Sequence, residues 1–281
     1  MNELAYINGD VVPVDDATVS VRDRGFVFGD GVYDVARVYG GVANRLDRHI
    51  ERLRRNANEL EFASVPAAGQ LHEIIDELLE RSGLVEAMVY MQLTRGVARR
   101  KSAFPEGVGP TVYVSVEEIR RGADALREDG ASAILVDDIR WDRNDIKTVN
   151  LLPKVMMGER AKRAGAYEAL YVDGDGHAWE GTSTNLFAVI DGGLVTPPLG
   201  PRVLPGTTRA DVLELASDLG IPCRERPITA REVVEAEELF LTGTLTEVLG
   251  IVSVGGIEIG DGAVGATTQA MSESYRKRVR D

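Results

Sequence analysis

Hydrophobic residues along this chain recur at two periods, and each change of period marks a new element. Residues 5–8 and 11–14 alternate on either side of Gly9 and Asp10 and read as a hairpin. A glycine- and aromatic-rich stretch from Arg22 to Asp30 follows and ends in a strand on which Tyr33, Val35 and Arg37 share one face. The spacing then turns helical. Leu46, Ile50, Leu53, Ala57 and Leu60 form one apolar stripe with Arg48, Arg52 and Arg55 off it, and Leu71, Ile74, Ile75, Leu78 and Leu79 form a second. Strands are expected at 88–94 and 111–116, flanking a basic loop with Arg95, Arg99, Arg100 and Lys101.

From Glu117 to Asp129 the chain is polar and charged. This predicts an N-terminal domain over 1–118, a connecting stretch over 119–130 and a C-terminal domain over 131–281. In the second half an apolar strand is expected at 133–136 and an amphipathic helix at 151–164. Strands at 167–172 and 177–179 bracket Asp173-Gly174-Asp175-Gly176, a hairpin signal. A strand at 186–190 precedes a helix over 210–219, for which Thr207 or Thr208 suits the N-cap. A helix over 230–237, strands at 239–242 and 248–254 and a helix over 264–279 complete the chain. The expected fold class is α+β, in two domains of mostly antiparallel sheet with flanking helices.

Composition narrows the function classes. The 281 residues, 44% hydrophobic and 27% charged, describe an ordinary globular protein of about two domains. A formal charge of −13 argues against nucleic acid or an anionic membrane as partner. A site for an anionic ligand must then be built locally, from arginines and helix N-termini. No apolar run reaches the length of a membrane span, the first residues lack a secretory pattern, and the single Cys223 cannot form an internal disulfide, so a cytoplasmic location is expected.

Lysine is rare: Lys101, Lys147, Lys154, Lys162 and Lys277 are the five in the chain. Lys147 falls in a turn between the strand at 133–136 and the helix at 151–164, flanked by Ile146. A solvated lysine near a helix start fits these residues. A desolvated amine with a lowered pKa, available for a Schiff base, fits them too. Arg37 reads equally as a side chain at a sheet edge or as an anion hook, and the basic loop as solvated or anion-binding.

Several chemistries find no support. His49, His72 and His177 have no zinc-type spacing to one another or to the cysteine. Gly181-Thr182-Ser183-Thr184 is not a serine-hydrolase elbow, Gly29-Asp30-Gly31 does not extend to a dinucleotide fingerprint, and no Walker A sequence occurs. What stands out is a set of glycine and hydroxyl turns, Gly181 to Thr184, Gly206 to Thr208 and Gly243 to Thr246. Each is either a plain turn or a set of donors for a phosphate monoester. Together with one lysine and the carboxylate of Glu180, placed in a turn, they suggest pyridoxal phosphate, which needs an amine, an acidic partner for its ring nitrogen and a phosphate cup.

The runs Asp23-Arg24-Gly25-Phe26, Phe28-Gly29-Asp30-Gly31-Val32-Tyr33, His49-Ile50-Glu51-Arg52-Leu53, Asp145-Ile146-Lys147 and Glu180-Gly181-Thr182-Ser183 carry a resemblance over nearly the whole chain. It is to the fold-type IV pyridoxal-phosphate enzymes, and most of all to the D-amino-acid transaminases. The resemblance implies that Lys147 bonds the cofactor and shuttles the substrate proton, and that Glu180 keeps the ring nitrogen protonated. It implies that Arg52 clamps the phosphate bidentately, with Thr182, Ser183, Gly206, Thr207, Thr208, Gly243 and Thr244 around the cofactor and Leu204 packed under its ring. Tyr33, Val35, Arg37, Arg100 and Ser102 would line the substrate pocket. It also implies a homodimer with the cofactor between the two domains, and amino acids and 2-oxo acids as substrates.

Substrate choice rests on fewer residues. Tyr33-Asp34-Val35 has the form of the D-amino-acid group, whereas branched-chain enzymes carry a Phe-Glu-Gly-x-Arg type of strand. The Arg-x-His pair with which that group grips the substrate carboxylate, reaching over from the partner subunit, reads Arg100-Lys101-Ser102 here. Losing one charge-assisted hydrogen bond costs about 1.5–3 kcal/mol, so weaker substrate binding is expected. Rivals are L-branched-chain transamination, aminodeoxychorismate lysis and a non-catalytic binding protein.

Overall fold

A computed structural model describes residues 3–119 and 126–280. They gather into two compact units, Met1–Arg120 with Ile146–Leu151, and Arg121–Asp145 with Leu152–Asp281. Of the connecting stretch expected at 119–130, residues 120–125 lie outside the described residues.

The first unit is a six-stranded antiparallel sheet covered by two helices. In chain order it holds β1 (Leu4–Ile7), β2 (Asp10–Pro13), α1 (Arg24–Phe28), β3 (Gly31–Tyr39), β4 (Val42–Ala43), α2 (Leu46–Glu59), α3 (Ala68–Ser82), β5 (Ala87–Thr94) and β6 (Thr111–Glu118). The strands run β2-β1-β6-β5-β3-β4. Alternation makes the sheet two-faced: Val32, Ala36 and Val38 of β3 and Val89, Met91 and Leu93 of β5 point into a core with Ile50, Leu53 and Ala57 of α2 and Leu71, Ile75 and Leu78 of α3. Burying each large aliphatic side chain contributes about 1.5–3 kcal/mol. The opposite face carries Tyr33, Tyr90 and Tyr113, with ring centroids 5.6 and 6.0 Å apart.

One element is new here, and one expectation changes. α1, a five-residue helix in the glycine-rich stretch, carries no apolar period, and Asp23 starts it by accepting the Gly25 N–H at 2.8 Å. The Lys147 segment is laddered rather than a turn: Tyr33 N–H donates to Lys147 O and Val149 N–H to Gly31 O, each at 3.0 Å. These bonds assign Ile146–Leu151 to the first unit instead of to a continuous domain over 131–281.

The second unit holds α4 (Leu126–Asp129), β7 (Ala131–Asp137), α5 (Leu152–Arg163), β8 (Glu168–Val172), β9 (His177–Gly181), β10 (Asn185–Ile190), β11 (Gly193–Thr196), α6 (Thr207–Asp218), β12 (Cys223–Glu225), β13 (Ile228–Thr229), α7 (Ala230–Glu235), β14 (Glu238–Gly243), β15 (Glu247–Val254), β16 (Ile257–Glu258) and α8 (Ala266–Arg278). Its ten-stranded sheet runs β12-β11-β10-β14-β15-β7-β8-β9-β13, with β16 paired to β15 off this path. A further pairing of Glu180 with Asn185 joins β9 back to β10, so six of the strands close into a ring. Leu170, Leu186, Leu241, Leu249 and Ile251 share one core. Phe187 and Phe240, opposite each other on β10 and β14, stack at 5.0 Å in a second core with residues of α6 and α8. β15–β7, β7–β8 and β11–β12 are parallel and the rest antiparallel, so the α+β class with mostly antiparallel sheets stands.

Candidate functional site

In the first unit the backbone bonds to β3 bring Lys147 onto the tyrosine face. Lys147 is half-buried, and its Nζ lies 4.4 Å from the centre of the Tyr33 ring. Val35 and Arg37 follow Tyr33 along the same face, and the Arg37 guanidinium rests 4.7 Å from the Tyr39 ring and 3.8 Å from Glu86. Lys147, Tyr33, Val35 and Arg37 thus line one surface.

Arg52 is on the core side and is 5% exposed, although its spacing left it off the apolar stripe. Its Nε donates to Asp34 Oδ2 at 2.7 Å and its Nη2 to Oδ1 at 2.8 Å, while His49 Nδ1 meets the same Oδ1 at 2.8 Å. Burial by itself would push the Asp34 pKa up; the Arg52 charge and the hydrogen bonds from Arg52 and His49 outweigh it and hold the carboxyl well below the usual carboxylate range. The Nε–Nη2 fork expected to clamp a phosphate bidentately is therefore occupied by a carboxylate.

The basic loop divides into two parts. Arg95 is buried rather than solvated: Nε meets Asp30, Nη1 and Nη2 donate to the Glu61 and Leu60 carbonyls, and its guanidinium lies between Phe62 and Phe104. Arg99, Arg100, Lys101 and Ser102 are exposed.

In the second unit Glu180 is 2% exposed and belongs to β9, not to a turn. Arg140 Nη1 donates to one of its oxygens; the Leu204 N–H at 2.9 Å and Asn185 Nδ2 at 3.3 Å donate to the other. Arg140 is held in turn by Asp138, at 2.9 Å from both Nε and Nη2, and lies 4.0 Å above the Tyr171 ring. Leu204 is therefore brought to Glu180 through its backbone.

The three hydroxyl turns differ in what their donors do. At Gly181–Thr184 the hydroxyls of Thr182, Ser183 and Thr184 all donate to the buried carboxylate of Glu168, so this expected phosphate cup is filled by the chain itself. At α6 the N-cap is Gly206, not Thr207 or Thr208, and it supplies no side-chain cap. Its missing Cβ is required, because one there would collide with Asn185 Oδ1. Thr207 and Thr208 open the twelve-residue helix, whose first N–H groups and positive end suit an anion. In the third turn, between β14 and β15, Gly243 and Thr244 are half-buried, and Thr246 Oγ1 meets the Tyr167 hydroxyl at 2.9 Å. Beside it, among the described residues, the Thr242 hydroxyl is buried without a hydrogen-bond partner.

Four residues that hold the candidate site groups escape a reading by motif. Asp34 had a legible signal: it occupies a core-facing position between Val32 and Ala36, where a carboxylate demands partners, and α2 supplies two of them, three residues apart. Arg140 and Glu168 look like surface charges in the sequence, and Asn185 gives no signal at all. Elsewhere, Asp173, Asp175 and His177 come close enough to share a cation, but Asp173 already accepts from Asp175 N, His177 N and Trp179 Nε1.

Comparison with known proteins gives the family. The chain is 37% identical over 276 residues to the D-alanine aminotransferase of Bacillus licheniformis, covering 97% of this chain and 95% of that enzyme. It is 36% identical over 275 residues to the D-alanine aminotransferase of Staphylococcus haemolyticus, with 98% and 97% covered. Among solved structures, the branched-chain amino acid aminotransferase of Escherichia coli superposes with a TM-score of 0.92 at 28% identity, over 98% of this chain and 94% of that one. Residues 31–254 match the family model for amino-transferase class IV, and the chain belongs to that family.

Proposed function

We propose that this chain is a pyridoxal-phosphate-dependent transaminase that takes the amino group from a D-amino acid, such as D-alanine or D-glutamate, and passes it to a 2-oxo acid such as 2-oxoglutarate. The observation that carries this reading is the 37% identity, over almost the full length, to a D-alanine aminotransferase. The Tyr33-Asp34-Val35 strand supports it on the substrate side.

The residues present fit the cofactor. In the second unit the helix N-terminus at Gly206 and the Thr208 and Thr244 hydroxyls are donors for a phosphate, and this reading assigns the Arg52 charge to the same group. Glu180, locked by Arg140, Asn185 and the Leu204 N–H, presents a fixed acceptor to a ring N–H. When bound, the cofactor's ring serves as an electron sink for the electrons released as the substrate's α-C–H bond breaks. Lys147 would hold the cofactor through its amine and would move the substrate's α-proton as general base and acid. Glu180 keeps the proton on the ring nitrogen, so that the sink stays effective. Tyr33 lines the substrate side with Val35 and Arg37, and Arg100 binds the substrate carboxylate, with Ser102 beside it.

The same reading makes the protein a cytoplasmic homodimer in which the loop bearing Arg100 serves the partner's site. Among the described residues no helix is long and apolar enough to cross a membrane. Sedimentation analysis tests the dimer.

A second reading, L-branched-chain transamination, is favoured by the close likeness to the E. coli structure and by Arg37 on the Tyr33 face. Titrating the cofactor-loaded protein with D- and L-alanine, glutamate and leucine, while following cofactor absorbance and 2-oxo acid release, separates the two. D-alanine and D-glutamate are expected to shift the absorbance. Response to L-leucine alone would overturn the D-amino-acid reading in favour of the second.

A further inference from the structure

The loop that carries Arg100 is held from below by the glycine-rich stretch around α1. Its first residues pair with that stretch: Arg24 N–H donates to Gly96 O at 2.9 Å, Ala98 N–H to Arg22 O at 3.2 Å, and Asp23 bridges to Val97. Gly96 makes this approach possible, because it sits at φ +91° and a side chain there would strike the Gly109 carbonyl.

Two side chains of α1 then reach the loop's outer part. Arg24 is 4% exposed. Its Nε is fixed by Asp30 Oδ2 at 2.7 Å, and its Nη1 donates to the Lys101 carbonyl at 2.7 Å and, more weakly, to that of Ala103 at 3.4 Å. Phe28, four residues further on and so on the same side of the helix, lies between two guanidinium groups. The Arg24 guanidinium is 4.7 Å from its ring centre and that of Arg100 is 5.5 Å.

Arg100 itself is exposed and long, so by default it would sample many rotamers, and ordering it on binding would cost affinity. A buried arginine that grips the carbonyl of the very next residue, and an aromatic ring against its own guanidinium, restrict that freedom beforehand. Asp30 anchors both ends of the arrangement, since Arg95 at the loop's base shares it at 2.9 Å.

The geometry points to Arg24 and Phe28 as positioning residues that hold the 99–102 loop in one presentation, so that Arg100 meets the substrate carboxylate already oriented. This rests on the transaminase reading above, with Arg100 as the carboxylate hook. Neither residue touches substrate or cofactor in this assignment; they act through the loop.

The test uses the cofactor-loaded protein with Arg24→Lys, Arg24→Gln and Phe28→Leu, and Arg100→Gln as reference. Three quantities are measured: kcat and KM for the preferred amino acid, the cofactor dissociation constant, and the rate of tryptic cleavage at Arg99, Arg100 and Lys101. Phe28→Leu keeps an apolar side chain at a partly exposed position, so it remains informative if an Arg24 variant does not fold. Phe28→Leu and Arg24→Lys are expected to raise KM about tenfold, the loss of one well-placed interaction, with kcat within about twofold, cofactor affinity unchanged and cleavage of the loop accelerated. Arg24→Gln, which also loses the charge beside Asp30, is expected to exceed Arg24→Lys in both respects.

Unchanged KM in the folded Phe28 and Arg24 variants overturns the proposal, and so does a KM rise that is matched by loss of cofactor. If Arg100→Gln leaves KM unchanged, the hook assignment fails and takes the proposal with it. Absence of amino-group transfer by the unaltered protein from any D- or L-amino acid is the separate result that would sink the transaminase reading itself.

Discussion

Asp34 and Arg52 form a two-point ion pair, Nε to Oδ2 at 2.7 Å and Nη2 to Oδ1 at 2.8 Å, between a strand and a helix of the first core. Both charges are taken out of water, so each depends on the other. Removing one partner of such a pair costs about 3–5 kcal/mol, because the remaining charge is stranded. Asp34→Asn is expected to destabilise the apoprotein by that amount in urea unfolding and to loosen the cofactor as well. The pH dependence has a definite sign. The folded pKa of Asp34 lies below the ordinary 3.8, so the pair's contribution is complete above that value and is lost as pH falls below it. Acid unfolding of Asp34→Asn should therefore show a weaker dependence on pH below about 4.

Glu180 gives the sharpest separation of chemistry from stability. Glu180→Gln keeps the volume and the acceptor toward Leu204 N–H but removes the negative charge, while Arg140 keeps its pairing with Asp138. The expected result is a fall in kcat of about 10- to 100-fold, the value of one charge-assisted hydrogen bond, with only a small change in unfolding. Rapid-mixing measurement of a single amino-group transfer reads this directly. A full-rate Glu180→Gln protein would remove this residue from the mechanism.

Ser102 stands two residues beyond Arg100 on the exposed part of the loop, where the resemblance leads one to expect histidine. A serine hydroxyl is a shorter and weaker partner for a carboxylate than an imidazole. Ser102→His is expected to lower KM for the preferred amino acid about tenfold, corresponding to about 1.4 kcal/mol, without altering cofactor binding. Steady-state kinetics with alanine and glutamate of the preferred hand check it.

Glu247 adopts φ +59°, a conformation that favours glycine, at the strand end that follows the Gly243 to Thr246 turn. It does so while its carboxylate, 4% exposed, meets Arg127 Nη1 at 2.8 Å. Glycine there would relieve about 1–2 kcal/mol of backbone strain, yet it would take the Glu247 carboxylate away from a mostly buried guanidinium, a loss of about 3–5 kcal/mol. The second effect is larger, so Glu247→Gly is expected to lower the melting temperature. A raised melting temperature would mean that backbone strain outweighs the ion pair.

The sequence made the helices legible where apolar residues recur on one face, as along Leu46, Ile50, Leu53 and Ala57, and the strands where they alternate. Those patterns record burial, the dominant driving force of folding. It was less informative where structure rests on single polar bonds. α1 is set by the Asp23 side chain, the Lys147 segment by two backbone bonds to β3, and the α6 cap by the absence of a side chain at Gly206. The candidate site divides along the same line. Lys147, Glu180 and Arg52 stood out through their motifs. The groups that fix them are common polar residues: Asp34 and Arg140 have partners 18 and 40 residues away, and Asn185 reaches Glu180 across the 181–184 turn without any motif to mark it. Glu168 illustrates the converse: a distant carboxylate occupies hydroxyls that locally looked like a phosphate cup.

Tyrosines set the alkaline limit. Tyr90 stacks on Tyr33 at 5.6 Å on the face that Lys147 covers, and burial pushes its pKa well above the ordinary 10.0. Burial acts in the same direction on Tyr113, Tyr167 and Tyr171. The fold thus favours the neutral phenol, while the unfolded chain ionises at its ordinary value. Stability is complete below about pH 10 and declines above it, as the unfolded state loses protons that the folded state retains. Tyrosinate absorbance followed together with circular dichroism should show these four rings ionising only as the fold is lost, in one steep step. Smooth ionisation of all the tyrosines near pH 10 in a protein that keeps its native dichroism would show that the tyrosine wall is open to water.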